Sequence, residues 1–546
     1  MNAIPGADRL ADGERDTSRP ILLIGFLQQG NLGLGYLSSV LGAKGYTVVV
    51  ADIERDPEEL AALARSLNPM IIGLSLIFQF YILRYAGLVG RLRAAGIDAH
   101  ITMGGHFASL SWKDTLELVP GLDSVVRFEG EETLLALADL VGRGEDWTAL
   151  EGIALRRDGE PATNPLHHLL PNLDTLPWPE RAYEPDQVLG HNVFPLVASR
   201  GCARTCSFCS IHTFYRTAPG KVVRLRRPDL VADEMLHLHQ ERSATVFLFQ
   251  DDDFPIFGPV WRKWTYRFLD ELHARRLPER TIWKMNCRAD AVEPELLTAM
   301  REAGLYLVYM GLESGSEEGL VTLGKGITVA QNLAAVNMLK SLDLMYEFGF
   351  MLLDPSSTFE SIEDNLRFLE TITADGGTAA VFCRMLPYDG TPIKERLLQE
   401  GRLRGDVCDP DYDFLDPRLD GFYREVHKLL NVSGWIHGHT ALSPTINWAW
   451  NEVAVMRRLF PPLDGLEDYL DSLRRTTKEA NRLLFAIVRD FAAAHNGGPP
   501  ARHTPDSVTA QTAPLLTHMV NERDRFVAAN QATMLSALTR KTLVPA

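Results

Sequence analysis

The sequence predicts an α/β protein in three parts: a doubly wound parallel sheet, a half-open barrel of six strand–helix units, and a helical C-terminal domain. Three observations predict this. Short apolar runs alternate with helix-period stretches from Pro20 to about Gly142, the alternation resumes on a longer period from Phe194, and from about Gly401 it gives way to long amphipathic stretches. Alternation at this spacing builds parallel sheets, because a parallel crossover needs a helix and both sheet faces must be covered.

In the first part, strands are expected at Ile21–Gly25, Thr47–Asp52, Met70–Ser75, His100–Gly105 and Ser124–Phe128. Helices are expected at Leu34–Ala43, at Pro57–Leu67 and in a segment ending near Gly96. A polar tail over residues 1–18 precedes this domain, which spans 19–144. Residues 145–190 form a linker with a hairpin turn at Arg157-Asp-Gly-Glu160 and a proline-rich end, Leu170 to Pro179. Residues 191–400 form the second part, with strands at Phe194–Ser199, Thr245–Gln250, Thr281–Cys287, Leu305–Glu313, Leu344–Leu352 and Ala379–Pro387. Its helices include Pro228–Arg242, Val260–Arg276 and Glu293–Ala303. Residues 401–546 read as a helical cap, with long helices at Leu466–Asn496 and Ala513–Arg540 and with Trp435, Trp448 and Trp450 as core aromatics.

The formal net charge of −16 argues against a nucleic-acid partner, which would need clustered Lys and Arg. No apolar run approaches the ~20 residues of a membrane span. The polar N-terminus has no apolar core to serve as a signal or anchor. Six cysteines without scaffold spacing point to a reduced, cytoplasmic setting.

Two sets of residues carry chemistry. Glycines sit at the carboxyl ends of the first-part strands: Gly30, Gly33 and Gly35 after the first, Gly104 and Gly105 after the fourth, and Gly130 after the fifth. A doubly wound sheet binds its ligands there. The Gly-x-Gly-x-x-Gly spacing is missing, so a nicotinamide site is not expected. In the second part, Cys202, Cys206 and Cys209 form a Cys-x3-Cys-x2-Cys loop directly after the first strand, with Phe208 before the last cysteine. Three thiolates can hold three irons of a cubane cluster and leave the fourth open, whereas structural clusters use four cysteines. A zinc site completed by His212 is one alternative, and three unrelated core cysteines are another. Cys287, Cys383 and Cys408 read as small buried hydrophobes.

The cysteine loop resembles that of the radical S-adenosylmethionine (radical SAM) superfamily, whose open iron binds the amino and carboxylate groups of S-adenosylmethionine. Asn31-Leu-Gly-Leu-Gly-Tyr-Leu37, Met103-Gly-Gly-His106 and Phe128-Glu-Gly-Glu-Glu-Thr133 resemble the Rossmann-like cobalamin-binding domain that precedes many of its members. The resemblance implies Cys202, Cys206 and Cys209 as ligands of a 4Fe–4S cluster, with Phe208 in the same loop. It implies Asn31, Gly33, Gly35, Gly104, Gly105, Gly130 and Glu131 around cobalamin. Of the run Phe249-Gln-Asp-Asp-Asp-Phe-Pro255, Asp251, Asp252 or Asp253 would meet the methionine ammonium. Arg288 would pair with the methionine carboxylate, and Glu313 of Gly311-Leu-Glu-Ser-Gly-Ser316 with the ribose or ammonium. A surface salt bridge for Arg288 and a helix start for Glu313 are the plain structural readings.

Asp98-Ala-His100 starts a strand and lacks the glycine of a cobalt-ligand motif, so cobalamin is expected without a protein histidine on cobalt. His106 lies on the ligand face but reads as a hydrogen-bonded turn residue. Tyr215, Arg216 and Tyr388 are candidates to face substrate. The implied activity is C-methylation of a small metabolite or natural-product intermediate through a 5′-deoxyadenosyl radical and methylcobalamin. An external one-electron donor such as flavodoxin or ferredoxin would supply the reductant. Non-methylating rearrangement, ring contraction or oxidative cyclisation is the second reading, and a non-catalytic cobalamin or redox sensor the third.

Overall fold

The structure, a computed structural model, describes residues 16–28, 30–436 and 441–542. Most of the expected polar tail thus lies outside the described residues. The chain forms two compact units: Met1–Pro185 with Pro195–Leu230 and Leu386–Asp411, and Asp186–Phe194 with Val231–Met385 and Tyr412–Ala546.

The first unit is built on a seven-stranded sheet. Its strands are β1 (Ile21–Gly25), β2 (Val48–Asp52), β3 (Ile71–Ser75), β4 (His100–Gly104), β5 (Ser124–Val126), β6 (Ile153–Arg157) and β7 (Glu160–Thr163), in the order β2-β1-β3-β4-β5-β6-β7. β1 to β5 are parallel, in registers such as Ile21 opposite both Val48 and Ile71. The hairpin at Arg157–Glu160 forms as expected, but its strands extend the first sheet antiparallel. β1 is buried along its whole length because strands flank it on both sides and helices cover both faces. Those helices are α1 (Leu32–Ala43), α2 (Pro57–Leu67), α3 (Ile82–Ala94), the short α4 (His106–Leu110) and α5 (Trp112–Leu118), and α6 (Glu131–Arg143). The strand order reverses between β1 and β3, and ligands of such sheets bind outside the carboxyl ends at that point.

The second unit holds the other large sheet, ordered β16-β15-β14-β13-β12-β9-β8. Its strands are β8 (Gln187–Val188), β9 (His191–Leu196), β12 (Ala244–Phe249), β13 (Ile282–Arg288), β14 (Leu305–Glu313), β15 (Met345–Leu353) and β16 (Cys383–Arg384). The pairings from β12 through β16 are parallel, giving the half-barrel the sequence predicts. Two expectations change. The first strand ends at Leu196, and Ser199–Arg200 (β10) pairs instead with Arg224–Leu225 (β11) in the first unit. The strand expected over Ala379–Pro387 contracts to Cys383–Arg384. The Ala379 and Ala380 N–H groups donate to the side chains of Asn447 and Asn481, at 3.3 and 2.8 Å, which takes them out of the ladder.

The helices after the first unit's sheet are α7 (Ser210–Thr217), α8 (Pro228–Arg242), α9 (Gly258–Ala274), α10 (Pro294–Glu302), α11 (Glu317–Thr322), α12 (Val329–Ser341), α13 (Phe359–Thr373) and α14 (Pro392–Gln399). The C-terminal helices are α15 (Arg418–Val432), α16 (Leu442–Leu459), α17 (Leu466–His495) and α18 (Pro505–Thr542). α18 starts eight residues before the expected Ala513 because Thr504 and Ser507 cap it reciprocally, and it continues through Pro514. Trp435 and Trp450 are core residues as expected, whereas Trp448 is exposed. No helix among the described residues is long and apolar enough to cross a membrane.

Candidate active site

The cysteine loop belongs to the first unit. Gly201 sits at φ +87°, and a Cβ there would lie 1.9 Å from the Val222 carbonyl oxygen, so the turn into Cys202 needs glycine. The Arg204 N–H donates to the Cys202 sulfur at 3.4 Å, and the Cys209 N–H to the Cys206 carbonyl at 3.3 Å. Cys209 immediately precedes α7, where the helix N-terminus favours a thiolate. The Ile393 N–H fixes the loop's centre through the Ser207 carbonyl at 3.0 Å, and Phe208 beside it is half-buried. None of the three cysteines is in a disulfide. Three thiols within eight residues, on a loop braced by backbone bonds, fit a cluster that offers each thiolate its own iron. Among the described residues no three His, Cys, Asp or Glu side chains gather as ligands of one ion. Burial and the Arg216 charge depress the basicity of His212.

A buried ion network braces the entry to this loop. Arg200, two residues before Cys202, meets Glu131 at 2.6 Å and Glu129 at 3.2 Å. Arg224 meets the other Glu129 oxygen at 2.6 Å and donates to the Leu170 carbonyl at 3.0 Å. Burial works to raise the Glu129 carboxyl pKa, but Arg200 and Arg224 outweigh it and hold the group below its ordinary range. Burial works to lower that of Arg200, but Glu131 and Glu129 reverse it and hold the guanidinium well above its usual value. The network lies in the segment that resembled a cobalamin motif, and sequence reading missed its arginine partners. Phe214 of α7 stacks at 4.3 Å on His106 and at 5.0 Å on Phe128, whose φ of +66° is rare for a side chain of its size. Tyr215 packs into the same apolar cluster.

Several of the expected cobalamin contacts also make contacts within the protein. Asn31 caps α1 by accepting from Leu34 at 3.0 Å and donates to the Phe26 carbonyl at 3.0 Å. Glu131 is held by Arg200. A Cβ on Gly35 would lie 2.5 Å from the Glu180 carbonyl oxygen, so this glycine lets the linker approach α1 closely. Gly105 likewise lies under the Leu76 carbonyl. Gly33, Gly104 and Gly130 stand at the carboxyl end of the sheet, with looser neighbours. The same end carries an apolar shelf that sequence reading passed over: Ile77, Phe78, Phe80 and Tyr81 are exposed there. Tyr388 packs against Phe78 and Phe80, with ring centroids at 6.5 and 6.2 Å. A broad aromatic shelf at the switch point of a doubly wound sheet fits a flat macrocycle. His100 opens β4, away from that end, and bonds to Ser124 at 2.8 Å.

In the second unit, the carboxyl ends of β12 to β14 bring polar groups together. Asp251 and Asp253 are buried, while Asp252 is exposed. Arg288 is the last residue of β13, and its guanidinium pairs with Asp290 at 3.0 Å and donates to the Lys325 carbonyl. Glu313 ends β14 at φ +63°, a conformation that costs a non-glycine residue on the order of 1 kcal/mol or more. Its carboxylate meets the buried Lys325 ammonium at 3.2 Å. Lys325 was not expected, and its flanking glycines, Gly324 and Gly326, both at positive φ, were the available signal. Cys287 is buried, and burial pushes its thiol well above the usual range. Cys383 departs from the buried reading: the residue is exposed, with its thiol donating to the Phe350 carbonyl at 3.5 Å, and Cys408 is only half-buried.

The family profile of the B12 binding domain matches residues 27–138, and that of the Radical SAM superfamily matches residues 196–369. The chain is 29% identical over 401 residues to the anaerobic magnesium-protoporphyrin IX monomethyl ester cyclase of Cereibacter sphaeroides, covering 70% of this chain and 62% of that one. It is 25% identical over 470 residues to the cytidylyl-2-hydroxyethylphosphonate methyltransferase of Streptomyces wedmorensis, covering 74% and 82%. Its fold is similar to that of the cobalamin-dependent S-adenosylmethionine radical enzyme OxsB, with a TM-score of 0.66 at 17% identity over 96% of this chain and 84% of that one. With the two family domains in this order and the cysteine loop after the first barrel strand, the chain belongs to the cobalamin-dependent radical SAM enzymes, and its cofactors are cobalamin, S-adenosylmethionine and a 4Fe–4S cluster.

Proposed function

We propose that this enzyme is a C-methyltransferase acting on an unactivated carbon of a small metabolite or natural-product intermediate. The observation that carries joint use of its cofactors is structural. The cysteine loop and the B12-binding sheet share one compact unit, tied by Arg200, Arg224, Glu129 and Glu131. Methylation is supported by similarity along 82% of the length of a methyltransferase. When bound, the cluster and S-adenosylmethionine supply a 5′-deoxyadenosyl radical, and cobalamin supplies the methyl group.

The chain's own residues would orient and enclose. Asp251, Asp252 or Asp253 would accept from the methionine ammonium, Arg288 would pair with its carboxylate, and Glu313 would meet the ribose or the ammonium. The aromatic shelf of Phe78, Phe80 and Tyr81 would keep water from the corrin face. An acidic surface suits a small-molecule substrate better than nucleic acid, and a flavodoxin or ferredoxin would deliver the electron.

Similarity to the cyclase favours a second reading, non-methylating oxidative cyclisation; the chain spans about three-fifths of that relative's length. One experiment separates the two. With substrate and trideuteromethyl S-adenosylmethionine, a methyltransferase yields product carrying three deuterons. S-adenosylhomocysteine and 5′-deoxyadenosine then form in about equal amounts when turnover is coupled. Unlabelled product, with 5′-deoxyadenosine and no stoichiometric S-adenosylhomocysteine, would sink the methyltransferase reading.

A further inference from the structure

At the opposite ends of the second unit's strands lies a cavity of about 560 Å³ that the radical chemistry does not use. It opens where β14 and β15 begin, at Tyr306 and Met345, under α16 and α17. Tyr306 is seven residues before Glu313 on β14, roughly 23 Å at 3.3 Å per residue, so a ligand here is remote from the candidate S-adenosylmethionine contacts.

Its lining is cationic in a chain of net charge −16. Arg301, Lys340, Arg457, Arg458 and Arg474 face two carboxylates in the lining, Asp343 and Asp375, while Glu467 and Asp471 outside it pair with Arg457 at 3.6 Å and Arg474 at 2.9 Å. Lys340 pairs with Asp375 at 2.9 Å, and Arg457 reaches Asp343 at 3.4 Å. These contacts occupy both acids. Among the described residues no hydrogen bond or ion pair engages the side chain of Arg301 or Arg458, and the Arg301 Nε is buried without a partner. Burial, and next the charge of Arg301, push the Arg458 guanidinium below its ordinary value, and Asp343 offsets them only in part. The rest of the lining is apolar or aromatic, including Leu344, Trp450 and Val453.

We infer that this cavity is a binding site for a small phosphate ester, separate from the catalytic end. Guanidinium forks bind phosphate oxygens bidentately, and two guanidinium groups without an ion-pair partner, Arg301 and Arg458, suit a group of two negative charges. A bare oxyanion would leave most of the space empty. The volume and the indole floor suit an organic moiety carried on the phosphate, within the usual size of small-molecule sites. The site does not depend on which reaction the cofactors perform.

Isothermal titration of the anaerobically purified full-length protein with inorganic pyrophosphate tests the charged half of the site. We expect one saturable site that weakens as salt rises. The double variant Arg301→Gln/Arg458→Gln should bind at least tenfold more weakly, while Arg367→Gln, on another exposed surface, binds as wild type. Cobalamin loading and melting temperature report whether the double variant is folded. If it is not, Arg458→Gln alone should still weaken binding several-fold. No binding at millimolar pyrophosphate, or undiminished binding in the folded variant, overturns the inference. So does binding of a polyglutamate peptide, lost in Arg458→Gln, without any binding of pyrophosphate, which would assign the face to an acidic protein partner.

Discussion

Arg200 and Glu131 meet at 2.6 Å in the interior of the first unit, with both side chains almost fully removed from solvent. One stands two residues before the first cysteine of the loop. The other is the first residue of the helix after β5. Their pairing, extended by Glu129 and Arg224, makes the position of the cysteine loop a property of the B12-binding sheet. An exposed pair would do little, but a buried one is costly to break because the remaining charge has no water.

Arg200→Ala should therefore lower stability by about 3–5 kcal/mol, the range for breaking a buried ion pair. Glu131→Gln, which keeps a hydrogen-bond acceptor, should cost less. Chemical denaturation of both variants and of the double variant measures the coupling between them. Additive losses would mean that the two side chains do not act as a pair. Iron content after reconstitution should fall along with stability in Arg200→Ala, since the loop begins two residues on.

Replacing Cys202, Cys206 and Cys209 together with alanine should abolish the cluster, taking iron from about four per chain to none, and with it reductive cleavage of S-adenosylmethionine. Cys287→Ala and Cys383→Ala should keep full iron content, because one is a buried core thiol and the other bonds to a strand carbonyl. Iron and sulfide analysis with detection of 5′-deoxyadenosine checks this. A triple variant that still forms 5′-deoxyadenosine would refute the cluster assignment.

The sequence was most legible where periodicity and covalent spacing rule. The five parallel strands of the first sheet and β14 lie within two residues of expectation, because each is an apolar run with few alternatives. Partnership was less legible. Glu131 and Asn31 were recognisable as parts of family motifs, yet whether a carboxylate or amide meets a cofactor, an arginine or a helix N-terminus depends on contacts 3 to 69 residues away. Lys325 beside Glu313 and the aromatic shelf at Phe78 were hidden for the same reason: neither has a local period. The short β16 failed for another cause. Its expected partners lost the backbone to Asn447 and Asn481, from helices more than sixty residues further along.

His100 and His106 are both held neutral in the fold, each with its pKa pushed down to about 4, chiefly by burial. In the unfolded chain each titrates near 6.5. Their contribution to stability is thus complete above pH 6.5 and is lost as the pH falls through the window from 6.5 to 4, by at most about 1.4 kcal/mol per pH unit for each group. Urea midpoints of the apoprotein measured across that window should flatten in His100→Gln. Neither histidine should ligate cobalt. Electron paramagnetic resonance of the cob(II)alamin form should be the same in wild type, His100→Ala and His106→Ala, and nitrogen splitting that vanishes in either variant would contradict this.

Glu313 and Lys325 allow structural and catalytic roles to be separated. Both side chains are largely buried and meet at 3.2 Å. Glu313→Gln leaves a buried ammonium and Lys325→Met a buried carboxylate, so each should lose about 3–5 kcal/mol of stability. The double variant, with neither charge, should recover most of it. If Glu313 also orients S-adenosylmethionine, recovery of the fold will not restore its reaction. Reductive cleavage should then stay about 100-fold down in the double variant and in Glu313→Gln, the scale of loss expected when a reacting group is misplaced by about 1 Å. Lys325→Met, which retains the carboxylate, should fall less in rate than in stability. Melting curves and 5′-deoxyadenosine formation, measured on the same reconstituted samples, supply both readouts. Activity that returns with stability in the double variant would make the pair purely structural and remove Glu313 from the S-adenosylmethionine site.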